Sequence, residues 1–182
     1  MKVLLPLAPG FEEIEALTVV DILRRGGVEV VTASLSETEL VEAAHGVKVM
    51  ADTVLNAIDP LDFDAIVLPG GNPGYINLRN DSKIREAVKQ MHEAGKIIAA
   101  ICGAPTTLSD LGILAHVSAT SHPSVKDEID AGDYREDRVV VDRKIVTSRS
   151  PGTAMEFAFK LLEIMKGREV AEAVNGGVLA RL

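Results

Sequence analysis

The sequence predicts an α/β fold in which a mostly parallel sheet is covered by helices on both faces. Short apolar runs alternate along the chain with longer segments of helical spacing, and loops containing Gly and Pro separate them. Strands that alternate with helices pair in parallel, because each helix carries the chain back to the start of the next strand. No repeat, low-complexity tract or linker interrupts this alternation, so we expect one domain over residues 1–182.

Strands are predicted where a short apolar run ends at turn residues. The first run stops at Pro9-Gly10, and the third stops at the loop 69–74, which is made almost entirely of Gly and Pro. Two pairs of shorter runs predict small hairpins. The predicted strands are Lys2–Ala8, Val28–Ala33, Ala65–Leu68 and Lys96–Ile101, and the hairpins pair Leu40–Ala43 with Gly46–Ala51 and Arg138–Val141 with Lys144–Thr147.

Helices are predicted from their end signals as well as from their apolar spacing. The segment Glu12–Arg25 is acidic at its start and basic at its end, and Gly26-Gly27 follows it. In the segment Asp81–Ala94, Asp81 is the expected N-cap and the following glycine is the stop. The other predicted helices are Pro105–Leu111, a short His122–Asp130, a long helix from Ser150-Pro151 to about Met165, and a final turn or two over Glu169–Val174.

Composition and charge narrow the possible functions. A net charge of −8 argues against nucleic acid or an anionic membrane surface as a partner. A single cysteine excludes an intrachain disulfide, and four scattered histidines argue against a zinc cluster. The apolar start is too short for a signal peptide, and no stretch has the length of a membrane span, so we expect a cytoplasmic protein.

The lone cysteine, Cys102, lies between the apolar run 96–101 and a predicted helix that begins at Pro105. A strand, one reactive residue, two small residues and a helix start have the form of a nucleophile elbow, whose tight turn exposes the side chain above the sheet. The nearby helix N-terminus favours an anion, here the thiolate. The alternative is a small buried core thiol, which is the commoner fate of a lone cysteine.

Three loops that follow predicted strands are expected to meet at the carboxyl end of the sheet, where open α/β sheets form their sites. These loops contain Gly10, Gly70-Gly71 and Cys102-Gly103. The backbone amides of Gly71 and Gly103 could form an oxyanion hole beside the sulfur. The alternative is that these glycines only allow tight turns.

Glu15 lies on an apolar helix face that includes Val19. A carboxyl group in such surroundings tends to keep its proton, because burial disfavours its charge. A protonated Glu15 would donate a hydrogen bond to a Cys102 thiolate, and we then expect the thiol to titrate below its ordinary pKa of roughly 8.5. The alternative is an exposed first-turn acid that stabilises the helix dipole in solvent, which is the role expected of Glu12 and Glu13.

Five segments carry a family resemblance: Gly10–Ala16, Leu68–Gly74, Ala100–Pro105, Ser121–Pro123 and Thr147–Thr153. In sequence and in order along the chain they resemble the motifs of the ThiJ/PfpI superfamily, in the branch of the parkinsonism-associated protein deglycase and its bacterial relatives. This resemblance implies a flavodoxin-like sheet and a homodimer. It also implies a reactive Cys102 paired with a protonated Glu15, oxyanion-hole amides at Gly71 and Gly103, and His122 near the site.

The resemblance further implies an enzyme that processes reactive dicarbonyls, or their adducts with amines and thiols, without a metal or organic cofactor. Cys102 would add to a carbonyl to give a hemithioacetal, and Glu15 would move protons during rearrangement to a hydroxy acid. Such chemistry is that of a glyoxalase or of a protein deglycase, and the sequence does not separate the two. Peptidase-like members carry His directly after the nucleophile, where this chain has Gly103, so proteolysis is not expected.

A rival function belongs to another class, a redox-responsive chaperone or oxidative-stress sensor that uses oxidation of Cys102. Because the chain has no second cysteine, disulfide-based sensing within one subunit is excluded. A nucleotide-binding module is disfavoured, since neither a Gly-x-Gly-x-x-Gly nor a Walker loop follows the first strand. Close family members carry an Arg that reaches the partner subunit's site in the segment where this chain has His45, so tuning of Cys102 oxidation across the dimer is left open.

Overall fold

All 182 residues are described by a computed structural model, in which strands and α-helices alternate. The strands are β1 Lys2–Leu7, β2 Glu29–Ser34, β3 Leu40–Glu42, β4 Lys48–Met50, β5 Thr53–Val54, β6 Ala65–Leu68, β7 Ile97–Ile101, β8 Ser118–Ala119, β9 Asp133–Tyr134, β10 Val139–Asp142 and β11 Ile145–Ser148. The helices are α1 Glu13–Arg25, α2 Gly74–Asn80, α3 Ser82–Glu93, α4 Pro105–Asp110, α5 Ala154–Lys166 and α6 Arg168–Val178. Short 3-10 turns cover Leu55–Ala57, Pro60–Asp62, Pro123–Glu128 and Pro151–Thr153.

The central sheet has seven strands in the order β10-β11-β7-β6-β1-β2-β5. Every neighbouring pair in this sheet is parallel except β10 and β11, which form an antiparallel hairpin at one edge. The edge strands are β5 and β10. The five strands between them, numbered along the chain as β1, β2, β6, β7 and β11, lie in the order 2-1-3-4-5 of flavodoxin-like folds. The predicted fold class is confirmed.

Two helix layers cover the sheet, because successive strand residues point to opposite faces. In β1, Leu5 and Leu7 pack in a core with residues of α1, α5 and α6, whereas Leu4 packs in a second core with residues of α2, α3 and α4. Strands that are covered on both faces need apolar residues at nearly every position, which explains the continuous apolar runs in the sequence. None of the helices is long and apolar enough to span a membrane.

The three loops predicted to converge do so, because β1, β6 and β7 are neighbours and run in the same direction. The Glu12 amide donates to the Gly70 carbonyl at 3.0 Å, and the Gly74 amide donates to the Gly10 carbonyl at 3.0 Å. Gly10 has a φ of +82°, and a β-carbon there would lie 2.5 Å from Pro73. The contact between the first two loops therefore requires glycine at this position.

The largest departure from the predicted elements is α2, in a segment that the sequence indicates only as a loop. This helix begins at Gly74 and turns only Leu78 fully into the core, so it lacks the repeated apolar stripe from which a helix is predicted. The predicted helix His122–Asp130 is a 3-10 turn over Pro123–Glu128, and the predicted final turn or two is the longer helix α6. The very short strands β5, β8 and β9 were not predicted.

The end of α1 generates a prediction about stability. A β-carbon at Gly26 would lie 2.2 Å from Cδ1 of Leu162 in α5. The Leu162 side chain is fully buried, so it cannot move aside into solvent. We expect Gly26→Ala to lower the free energy of unfolding by about 1–3 kcal/mol through overpacking. Gly176→Ala is the matched control, because that exposed glycine of α6 has open space around it, and it should raise the free energy of unfolding by about 0.5–1 kcal/mol. Urea unfolding of both variants measures this difference, and a neutral Gly26→Ala would contradict the proposed contact.

Candidate active site around Cys102

Cys102 lies directly after β7, on the tight strand-to-helix turn that the sequence predicts. Its φ is +66°, in the left-handed region that residues other than glycine rarely adopt. Two hydrogen bonds hold the backbone there: the Cys102 amide donates to the Ser148 carbonyl at 3.1 Å, and the His122 amide donates to the Cys102 carbonyl at 2.8 Å. Strain of this kind, held by surrounding structure, is typical of functional positions.

Glu15, in the first turn of α1, lies beside the Cys102 sulfur. Its side chain is fully buried, as the apolar helix face predicts, and it lies close enough to the Cys102 thiol for each group to shift the pKa of the other. The Gly70 amide donates to Glu15 Oε2 at 2.7 Å, whereas Oε1 accepts no hydrogen bond. A β-carbon at Gly70 would lie 2.6 Å from Cβ of Cys102 and 2.7 Å from Glu15 Oε2, so only glycine allows both groups to meet here.

The carboxyl and the thiol form one titrating pair. Burial raises the pKa of Glu15 from 4.5 to about 7, and the charge of Glu12 adds to the rise. Burial and then the Glu15 carboxylate raise the pKa of the Cys102 thiol to about 12, against the opposing effect of the Gly71 and Gly103 amides. The prediction that this thiol titrates below roughly 8.5 is therefore wrong while Glu15 is ionised. As a unit, the pair releases one proton near neutral pH and holds the second into the alkaline range.

The two amides predicted to form an oxyanion hole both lie beside the sulfur. The backbone N–H groups of Gly71 and Gly103 both act to lower the pKa of the Cys102 thiol, so in the free protein they favour a negative sulfur. Gly103 is also covered by the Tyr75 ring, since a β-carbon at Gly103 would lie 2.6 Å from Cγ of Tyr75. The role of the Gly71 and Gly103 amides as an oxyanion hole stays a prediction.

An open pocket of about 340 Å³ lies above the sulfur. Tyr75 forms part of its wall from α2, the helix that the sequence did not predict, so sequence analysis missed this residue. The only available signal was its position just after the Gly- and Pro-containing loop 69–74. The pocket is lined by Glu12, Ala44, His45, Gly71, Asn72, Tyr75, Cys102, Gly103, His122, Ser124, Val125 and Pro151.

His122 is near the site, as the family resemblance implies, but its ring is engaged elsewhere. Nδ1 lies 2.7 Å from the hydroxyl oxygen of Ser124 and accepts from the Ser124 amide at 3.2 Å. This is the arrangement of a side chain that caps the following 3-10 turn. The link from His122 to Cys102 is therefore through the backbone amide, and a catalytic role for the imidazole stays a prediction.

Glu12 and Glu13 do not lie in solvent, so that prediction is wrong. Their exposed fractions are 8% and 9%, because His45, in the turn between β3 and β4, covers them. The His45 amide donates to Glu13 Oε1 at 2.8 Å, and the His45 Nδ1 atom lies 2.8 Å from Glu13 Oε2. Although burial opposes it, the hydrogen bond from His45 lowers the pKa of Glu13, and the same bond raises the pKa of His45.

These three residues are also the group whose atoms lie close enough to hold a metal ion. Glu12, Glu13 and His45 each place one possible ligand atom within 4.8 Å of the others. The Nδ1 atom of His45 already lies at hydrogen-bonding distance from Glu13, so an ordinary ion pair accounts for the geometry. Sequence analysis placed His45 where close relatives have Arg but did not place it at the edge of the Cys102 pocket.

Comparisons with known proteins agree with this fold. The family model described as the DJ-1/PfpI family matches residues 1–164. Protein DJ-1 homolog B of Arabidopsis thaliana is 43% identical over 182 residues, which make up 99% of this chain and 42% of that protein. The chain spans less than half the length of this protein and of Arabidopsis DJ-1 homolog A.

Shorter relatives match along most of their length. Glutathione-independent glyoxalase DJR-1.2 of Caenorhabditis elegans is 41% identical over 160 residues, covering 87% of this chain and 84% of that protein. The solved structure of oxidized Toxoplasma gondii DJ-1 superposes with a TM-score of 0.95 at 40% identity, covering 100% of this chain and 99% of the other. The family match includes all five motif segments and both Glu15 and Cys102, and on this basis the chain belongs to the DJ-1/PfpI family.

Proposed function

We propose that this protein is a cofactor-independent enzyme of the glyoxalase or protein deglycase type, which converts reactive dicarbonyls to hydroxy acids through a hemithioacetal on Cys102. The observation that carries this proposal is the fully buried Glu15 carboxyl beside a thiol on a strained turn, since Oε2 of Glu15 and Sγ of Cys102 lie 2.7 and 3.1 Å from the position that a β-carbon at Gly70 would occupy. A nucleophile with a proton donor and acceptor beside it has what is needed to add to a carbonyl and then rearrange the adduct.

The charge of the pair resides on the sulfur in the reactive state. Two amides, those of Gly71 and Gly103, favour a negative charge on the Cys102 sulfur, whereas the Gly70 amide alone donates a hydrogen bond to Glu15. A buried carboxylate oxygen without a hydrogen bond is costly, and Oε1 of Glu15 has none. Both arguments favour a Cys102 thiolate that faces a protonated Glu15.

Addition comes first. The Cys102 thiolate forms a bond to the aldehyde carbon of an α-oxoaldehyde, and the carbonyl electron pair becomes an oxyanion. The amides of Gly71 and Gly103, which no longer face a charged sulfur, are then free to stabilise this oxyanion. Glu15 donates its proton to the oxygen and is left as a carboxylate, which completes a neutral hemithioacetal.

Rearrangement and hydrolysis follow. The Glu15 carboxylate removes the hydrogen on the former aldehyde carbon as a proton, giving an enediolate. Glu15 then returns this proton to the neighbouring carbon, and the hydroxyl proton of the first carbon passes to the oxygen of the second, which leaves a thioester. The two electrons lost by the first carbon are gained by the second, so no external oxidant or reductant is required. Water then cleaves the resulting thioester, which releases the hydroxy acid and regenerates Cys102.

The name of one relative supports this class of reaction. The C. elegans relative is named a glutathione-independent glyoxalase, and it matches 87% of this chain. An adduct on an amine or thiol would enter the same sequence after release or exchange of its carbonyl carbon, so a deglycase and a glyoxalase share these residues. We propose small dicarbonyls or such adducts as the substrate class.

The alternative function, a redox-responsive chaperone or sensor, has one specific observation in its favour. The thiol opens into the pocket and faces two amides, which would also stabilise the negative oxygens of an oxidised sulfur. An oxidised form of a relative from Toxoplasma gondii is among the solved structures. Turnover separates the two functions, because a sensor consumes its thiol once, whereas an enzyme recycles it.

The homodimer that the family resemblance implies remains a proposal for this chain. Apolar side chains are exposed on α1, at Ile14 and Leu17, and on the paired strands β3 and β4, at Leu40 and Met50. A second copy of the chain would remove such surfaces from water.

The nucleophile generates the first prediction of this proposal. We expect Cys102→Ala to lower the formation of lactate from methylglyoxal by on the order of 10³-fold or more, because no other thiol exists. The assay uses protein at concentrations far below the substrate, so that only turnover is counted. We expect His122→Ala to retain measurable turnover, because its Nδ1 is engaged by Ser124. A Cys102→Ala protein that turns over like the wild type would reject the covalent mechanism.

The protonation of Glu15 can be measured through stability. Because burial raises its pKa from 4.5 to about 7, the neutral carboxyl stabilises the fold fully below pH 4.5, and this contribution is lost as the pH rises through about 7. We expect Cys102→Ala to lose up to about 3 kcal/mol over this range relative to the matched variant Cys102→Ala/Glu15→Gln. Denaturant unfolding at a series of pH values provides the comparison. Parallel pH profiles for the two proteins would show that Glu15 has an ordinary pKa.

The residue after the nucleophile separates this chain from peptidases. We expect Gly103→His to show no casein hydrolysis and to lose at least tenfold in dicarbonyl turnover, because its β-carbon would lie 2.6 Å from the Tyr75 ring and displace the amide beside the sulfur. Casein and methylglyoxal assays on the wild type and the variant provide the test. Casein hydrolysis by either protein would contradict the assignment.

A further inference from the structure

The pocket above Cys102 has an unusual set of charges. None of its lining residues is a lysine or an arginine. The carboxylate that lines it, Glu12, is close enough to the catalytic pair for its charge to contribute to the raised pKa of Glu15. Sites that bind anionic substrates place arginine or lysine against the anion, so this lining is the opposite of what such substrates need.

Glu12 is held in place with its charge largely uncompensated. It is the N-cap residue of α1, but its side chain makes no capping hydrogen bond. Its side chain is only 11% exposed, and the single ion pair of its carboxylate is with His45 Nδ1, at 3.8 Å. A carboxylate that is mostly withdrawn from water interacts more strongly with a charge in the pocket than an exposed carboxylate would.

His45 does not neutralise this charge. Its ring nitrogen lies a full ångström closer to Glu13, at 2.8 Å, and its backbone amide also donates to Glu13. Even with the imidazole protonated, the group of Glu12, Glu13 and His45 keeps one net negative charge, and with a neutral imidazole it keeps two. The edge of the pocket is therefore negative in either protonation state of His45.

We propose that Glu12 makes the Cys102 pocket selective by charge: it admits neutral and cationic α-oxoaldehydes and their amine adducts, and it disfavours anionic ones. This inference rests on the proposed function and narrows its substrate class. It also gives the pocket a way to release product, because the hydroxy acid formed at Cys102 leaves as a carboxylate beside the Glu12 carboxylate. The substrate of such an enzyme arrives uncharged or positive, and its product carries one additional negative charge.

The single thiol allows the charge to be measured without catalysis. Methanethiosulfonates react when the Cys102 thiolate attacks the sulfenyl sulfur, breaks its bond to the sulfonyl group and releases a sulfinate. We compare a trimethylammonium reagent with a sulfonate reagent of similar size and follow adduct formation by mass spectrometry. The ratio of the two rate constants cancels any change in the thiolate fraction. We expect Glu12→Gln to lower the cation-to-anion ratio by roughly 3- to 30-fold.

The matched control is Glu93→Gln, which removes an exposed acid near the end of α3, at the amino end of the sheet and so remote from the pocket. It should leave the ratio within about twofold of the wild type. An unchanged ratio in Glu12→Gln, or an equal fall in Glu93→Gln, would overturn the proposal. If Glu12→Gln does not fold, the wild type decides: added salt should lower the rate of the cationic reagent relative to the anionic one, and no such convergence would overturn the proposal.

Turnover links this selectivity to the proposed function. Phenylglyoxal and its para-trimethylammonium and para-carboxylate derivatives are a neutral, a cationic and an anionic substrate of similar shape. We expect wild-type kcat/KM to be roughly tenfold higher for the cationic than for the anionic derivative, and the ratio to fall in Glu12→Gln. An anionic derivative that is turned over as well as the cationic one would reject the selectivity. No turnover of any of the three would reject the proposed function instead. The ratio of the methanethiosulfonate rate constants would still test the charge of the pocket in that case.

Discussion

The Glu15 carboxyl and the Cys102 thiol share one buried space at the carboxyl end of the sheet, and most of the surrounding structure serves to bring them there. Glu15 is fully buried and Cys102 is partly buried at the pocket, so burial disfavours a charge on either group alone, and a single proton shared between them is the arrangement with the least cost. The pair therefore titrates as a unit near neutral pH. The interaction between Glu15 and Cys102 therefore supplies both the nucleophile and the group that carries protons. Because these two groups are sufficient for the proposed chemistry, it needs no metal.

The scaffold meets this requirement with backbone more than with side chains. Gly70 leaves room for both groups where any β-carbon would overlap with them. The left-handed turn at Cys102 is held by hydrogen bonds to β11 and to His122, so its strain is borne by the sheet. The amides beside the sulfur come from Gly71 and Gly103, and the ring of Tyr75 covers the second of these. Such a site depends on the positions of backbone groups, which parallel strands fix well.

Sequence reasoning predicted the parts of the site that follow from local periodicity. Glu15 could be placed because helical spacing put it on an apolar face, and Cys102 because an apolar strand ran directly into a helix start. Tyr75 could not be placed, since α2 begins in a loop of Gly and Pro and shows no apolar stripe. Glu12 and His45 were missed for another reason: the burial of Glu12 and the position of His45 beside it depend on how the turn between β3 and β4 folds over the start of α1, a contact between segments far apart in the chain.

The pKa of Cys102 was the least predictable feature, because its direction depends on the protonation state of a neighbour and not on spacing. Burial and an ionised Glu15 raise it by more than the amides of Gly71 and Gly103 lower it. The same competition determines the function proposed here. Only when Glu15 keeps the proton does the sulfur become a nucleophile, and the negative edge of the pocket at Glu12 acts in that direction by disfavouring a second carboxylate.

Infrared difference spectroscopy at about pH 9, where the pair has released its first proton and still holds the second, tests this proton location most directly, because Cys102 is the chain's one thiol and any S–H stretch must arise from it. The account predicts a protonated carboxyl C=O band that disappears in Glu15→Gln, together with the absence of an S–H stretch. An S–H stretch in the wild type, without a protonated carboxyl band assignable to Glu15, would contradict it.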